Sequence, residues 1–171
     1  MKGFISSVVF IFFLFTISKG LAQCQDSSDA TLKETTAWLV TKINTYGGRA
    51  LPPTTYRASA DSSILTIYEL GLNENFEIKD TINVCQFNLK DLDLTKMSVR
   101  YLNKNKTRFG IKLESKKQKA ISYSKTLFVY SSAYEILINC TQEMDLPLRF
   151  IKAIRHGYCL SGGNIEVKEK F

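Results

Sequence analysis

Histidine, tryptophan and proline are scarce here: one His, one Trp and three Pro in 171 residues. A lone imidazole, His156, cannot supply the histidine clusters of catalytic zinc sites, and the four cysteines contain no C-x-x-C pair, so no metal is expected. The chain also lacks G-x-S-x-G, H-E-x-x-H, a P-loop and a glycine-rich dinucleotide fingerprint, so no motif points to a hydrolase, a metalloprotease or a nucleotide-dependent enzyme, and no cofactor is expected. Proline falls at only two places, Pro52-Pro53 and Pro147, which leaves long stretches free for regular structure. Apolar runs stay short of the roughly 20 residues that span a bilayer. Acidic residues are outnumbered 16 to 23, giving a formal charge of +7.

What is present begins with an export signal. Met1-Lys2 precedes an almost wholly apolar stretch from Phe4 to Ile17, and then Gly20-Leu21-Ala22. One charge, a short apolar core and small residues flanking the cut read as a signal peptide cleaved between Ala22 and Gln23. Gln23 is large for the small residue that lipoprotein processing takes, so a lipid on Cys24 is the less favoured reading. The expected organisation is residues 1–22 as signal peptide and 23–171 as a single α+β domain, secreted or periplasmic, with no transmembrane segment after cleavage.

All four cysteines, Cys24, Cys85, Cys140 and Cys159, lie beyond the cut. In an oxidising compartment they are candidates for two disulfides. A helix between Cys140 and Cys159, at about 1.5 Å per residue, would hold them farther apart than the roughly 7 Å a disulfide allows. That disfavours Cys140–Cys159 and hence Cys24–Cys85. Two pairings stay open, as do two buried free thiols.

The hydrophobic pattern changes period along the chain. Thr31 to Glu34 is a capping box, followed by a helical stripe of Leu32, Leu39, Ile43 and Tyr46 that stops at Gly47-Gly48. Trp38 falls off the centre of that stripe and reads as a boundary packing residue. Arg49 to Asp61 reads as a loop around Pro52-Pro53. From Ser62 to Cys140 the period is two: Ile64 to Leu70, Phe76 to Leu89 with a parity slip between Val84 and Cys85 that a bulge would explain, a hairpin through Val99, Tyr101, Phe109, Ile111 and Leu113, then Ile121 to Tyr130 and Tyr134 to Cys140. In the last helix, at about 100° per residue, Leu146, Phe150, Ala153, Ile154, Gly157 and Leu160 share an arc, with Arg149, Lys152, Arg155 and His156 opposite. Asp145 reads as its N-cap, Pro147 as its first turn and Gly162-Gly163 as its stop. The expected fold is α+β: a bent antiparallel sheet or partly closed β-barrel of six to seven strands, with an N-terminal helix and a C-terminal capping helix.

Charge supplies the clearest candidate site. Between Arg100 and Lys125 stand nine cations, Arg100, Lys104, Lys106, Arg108, Lys112, Lys116, Lys117, Lys119 and Lys125, against Glu114 alone. Such a lobe would attract an anionic surface or polymer, although lysines also guard sheet edges against aggregation. His156 and Cys159 stand three apart on the last helix, the spacing at which a thiolate and an imidazole can pair, but no orienting third group is visible. Asn105-Lys106-Thr107 and Asn139-Cys140-Thr141 fit the glycosylation sequon, which matters only in a eukaryotic host.

Two resemblances follow from these residues. The signal peptide ending in Ala22-Gln23, the Thr31 to Tyr46 helix with Trp38-Leu39, and the ending Arg149-x-x-x-Ala153-x-x-His156 followed by Gly162-Gly163 resemble short exported bacterial proteins without an assigned function; this implies export and names no activity. The strand series closed by a terminal helix resembles the pleckstrin-homology-like architecture, from which this chain departs: its last helix has no tryptophan, and of the basic phosphoinositide pattern in the first hairpin it has only Lys79. The expected function is a non-enzymatic binding or scaffold module whose basic lobe meets an anionic partner. The alternative is a carrier of a small apolar ligand in a cavity between the C-terminal helix and the sheet, beneath Phe150 and Ile154. A thiol enzyme using Cys159 and His156 is a third.

Overall fold

The computed structural model describes residues 28–50, 52–116 and 119–163. The signal peptide, the Ala22-Gln23 cut, Cys24 and Lys117 lie outside the described residues.

Helix α1 (Leu32–Tyr46) starts where the capping box places it: the Thr31 hydroxyl accepts from the Glu34 backbone N–H, and the Glu34 carboxylate accepts from the Thr31 N–H at 2.7 Å. It ends at Gly47. Nine strands follow: β1 (Gly48–Ala50), β2 (Pro53–Asp61), β3 (Ile64–Leu72), β4 (Ile78–Asn88), β5 (Ser98–Tyr101), β6 (Arg108–Glu114), β7 (Ser122–Ser124), β8 (Val129–Ser131) and β9 (Ala133–Asn139). Helix α2 (Leu146–Leu160) comes last. The architecture is α+β, as the residue pattern predicts.

All strand pairs are antiparallel, in a six-stranded sheet ordered β1-β2-β3-β4-β7-β8 and a three-stranded sheet ordered β5-β6-β9. A single bridge from Gly47, beside β1, to Ile138 of β9 links the two without closing a barrel, and another pairs Leu92 with Ser115 just past β6. Among the described residues strands number nine rather than six or seven because β1, β7 and β8 are three residues each, too short to show a period. The stretch from Arg49 to Asp61 is not a loop. Pro53 is the first residue of β2, where a missing N–H is tolerated, and Thr54, Tyr56 and Ala58 then alternate inward. The irregularity in β4 sits earlier than the parity slip implies: its register against β3 skips Ile82 and Lys79.

The core lies between the sheets and α2. Leu146, Phe150, Ile154 and Tyr158 are buried, and Phe150 meets Phe109 edge-on at 6.4 Å. Leu160, assigned to the apolar arc, is exposed, whereas His156, assigned to the polar side, is 8 % exposed. The reason is a second packed flank. Helix α1 lies across α2, so Trp38 stacks edge-on against Phe150 at 5.3 Å and Nε2 of His156 lies 2.7 Å from the Ala30 carbonyl oxygen. Asp145 holds the cap position without a side-chain cap bond. Glu143, just before α2, ties the helices together instead. Its carboxylate takes Lys42 at 2.5 Å, the Tyr46 hydroxyl at 3.0 Å and Arg149 at 2.9 Å. These donors, Lys42 foremost, hold its pKa below the usual carboxylate value.

Candidate functional site

The antiparallel register decides how the basic lobe is arranged. On β6, Phe109, Ile111 and Leu113 point into the core, so Arg108, Gly110, Lys112 and Glu114 share the outer face, beside Arg100 of β5 and Glu135 of β9. Gly110 is buried under the Glu135 side chain, and any Cβ there would strike that carboxylate. The missing side chain lets Glu135 cross β6 and meet Arg100, with Nη2 at 2.9 and 3.1 Å from its two oxygens. Lys112 reaches Glu114 at 2.5 Å, and Lys96 reaches it at 3.4 Å. This pairing, Lys112 first, draws the Glu114 pKa down.

The remaining cations disperse. Lys116 donates to the Tyr158 hydroxyl and covers its ring at 4.5 Å, Lys119 lies 3.9 Å from Asp91, and Lys125 sits in the β7–β8 turn of the other sheet. Acids remote in sequence, Glu135 and Asp91, are therefore brought to a lobe whose local count shows only Glu114. What stays together is the β5–β6 hairpin. Lys104 and Lys106 are exposed at its tip, Arg108 follows, and none of the three has a carboxylate within ion-pair distance among the described residues. Lys106 lies over the Tyr101 ring at 5.4 Å and adopts a positive φ of 56°.

A second feature was not marked by sequence pattern. A groove of about 460 Å³ runs between α1 and α2, lined on α1 by Glu34, Thr35 and Trp38 and on α2 by Arg149, Lys152, Ala153 and His156. The Arg149 guanidinium covers the Trp38 ring at 5.3 Å. Thr35 is 5 % exposed and its hydroxyl has no hydrogen-bond partner among the described residues. Phe150 and Ile154, beneath which a carrier cavity is expected, belong to the same buried core cluster as Leu89, Phe109 and Ile111. Trp38 is a packing residue, as its position predicts, and also a wall of this groove.

Glu69 forms a buried polar knot that its surroundings satisfy. Arg49 Nε lies 3.3 Å away, Asn83 donates at 2.5 Å and the Tyr134 hydroxyl at 3.5 Å. Burial, with Glu69 close by, pushes the Tyr56 phenol up to about 12, and burial also raises Tyr134. The knot joins β1, β3, β4 and β9. Period-two alternation marks Glu69 as an inward residue, but nothing local marks its partners.

Cys85 and Cys140 are free, buried thiols, so neither open two-bridge pairing forms through them: Cys85 lies inside the six-stranded sheet and Cys140 at the end of β9 in the other. Burial raises the Cys85 pKa, leaving it protonated. Cys159 is disulfide-bonded. Among the described residues no group of three or more His, Cys, Asp or Glu could hold a metal ion, and no helix is long and apolar enough to cross a membrane. Comparison with protein families, curated proteins and solved structures finds no match to this chain.

Proposed function

We propose that this protein is a binding module that engages an anionic partner through the β5–β6 hairpin. The observation that supports this reading is the gathering of Lys104, Lys106 and Arg108 at one end of the three-stranded sheet with no carboxylate at ion-pair distance among the described residues, while Arg100 and Lys112 on the same sheet are anchored by Glu135 and Glu114. Anchored cations stiffen the platform. Unanchored ones are available to the partner, at little cost in broken ion pairs. The chain acts as an exported adaptor in this reading, and Lys116, Lys119 and Lys125 contribute only long-range attraction.

Heparin serves as a test polyanion. Binding should weaken steeply as salt rises from about 0.05 to 0.5 M, since exposed charges are screened over a Debye length of roughly 10 Å at 0.1 M. Reversing Lys104, Lys106 and Arg108 to Glu together should abolish retention, whereas Lys119→Glu should leave most of it. Equal losses from both variants, or retention indifferent to salt, would defeat the proposal.

A further inference from the structure

The groove between α1 and α2 is separate from the hairpin and differently built. We infer that it binds a small amphipathic anion, a carboxylate-type headgroup on an apolar body. Three features converge on that chemistry. First, the walls combine an aromatic ring, Trp38, and a methyl, Ala153, with two cations, Arg149 and Lys152. The volume of about 460 Å³ falls within the roughly 300–1,000 Å³ of small-molecule sites. Second, the Thr35 hydroxyl is buried in the wall with no partner among the described residues. A threonine in a helix ordinarily returns its hydroxyl to a carbonyl one turn back, as Thr36 does to Leu32 at 2.9 Å and Thr41 to Ala37 at 2.9 Å. Thr35 does not, which leaves a buried hydroxyl in the groove wall without a partner among the described residues.

Third, the site is preorganised and its charge is polarised. Glu143 fixes Arg149 at 2.9 Å and thereby holds the guanidinium over Trp38. Lys152 is exposed and pairs with no acid among the described residues. Glu34 also lines the groove, but both its contacts, 2.7 Å to the Thr31 N–H and 2.8 Å to the Thr31 hydroxyl, tie it to the start of α1. The helices run antiparallel, so Glu34 marks one end and the Trp38–Arg149 pair the other. An anionic head is drawn toward Lys152 and Arg149, and the unpartnered Thr35 hydroxyl lies one turn along α1 from the Trp38 ring that Arg149 covers. A cationic head meets like charge.

Trp38 is the only tryptophan in the sequence, so its emission reports this groove alone. Decanoate is titrated against the full mature protein, with decylamine as a control of equal length and opposite charge. The expected result is a saturable change in emission with decanoate and none with decylamine. Lys152→Glu, on the surface, should weaken decanoate at least about tenfold, the scale of one charge-assisted contact. Thr35→Val keeps the side-chain shape and should weaken it severalfold without lowering thermal stability. The hairpin triple reversal should leave it unchanged, which keeps this outcome distinct from that of the polyanion experiment. No saturable signal, an equal response to both headgroups, or decanoate binding unaffected by Lys152→Glu would overturn the assignment.

Discussion

Single residues do several jobs here, and Glu143 does the most. It lies in the turn before α2, yet takes Lys42 and Tyr46 from α1 and Arg149 from α2. Its pKa is held below the ordinary 4.5, so its contribution to stability is complete above that value and is lost as pH falls through the lower, folded-state value. Glu143→Gln should therefore lower the urea midpoint at neutral pH and flatten its fall on acidification; Glu34, Asp93 and Glu114, also depressed, keep part of the slope. An unchanged pH profile would mean the triple contact carries no net weight. Local rules reach residues whose partners are near in sequence. Thr31 and Glu34 were legible because a capping box spans four positions. Glu143 was not, because Lys42 lies 101 residues away. His156 was misread for a related reason: a helical wheel assumes one buried face, and α2 has two.

Elements were legible in proportion to their length. Both helices and the long strands β3, β4, β6 and β9 follow from periodicity, since one buried face repeats often enough to be counted. Strands of three residues offer no repeat, and β2 was hidden behind Pro52-Pro53, although the inward series Thr54, Tyr56, Ala58 was there to read. Phe76 fits an alternating strand by pattern. It is instead an exposed hairpin tip at a φ of 60°, matched by Phe128 at 54° in the β7–β8 turn. The element that depends most on one side chain is α2. Phe150 is fully buried and touches both Phe109 of the sheet and Trp38 of α1. Phe150→Ala should cost about 3–5 kcal/mol, the usual range for emptying a phenylalanine site. Urea unfolding followed by Trp38 emission measures it, and a loss below about 1 kcal/mol would mean the helices close over the gap.

At the scale of the whole molecule, the basic lobe shows what a linear count can and cannot see. Nine cations against one acid was correct as arithmetic along the chain, but the fold supplies Glu135 and Asp91 from outside that window and sends Lys116, Lys119 and Lys125 elsewhere. The hairpin survives as a candidate because its cations are local neighbours in sequence and in space. The groove was invisible because its two walls come from opposite ends of the chain. The two free thiols have a practical use that follows from where they sit. Cys85 is enclosed by β3 and β7, and Cys140 closes the end of β9, so each sheet carries one shielded sulfur as a private beacon. Thiol-reactive dye with mass readout should stay off both in the native protein and mark each only when its own layer breathes open. Two distinct labelling rates would reveal layers that loosen one at a time; a shared rate would show a body that opens as a unit.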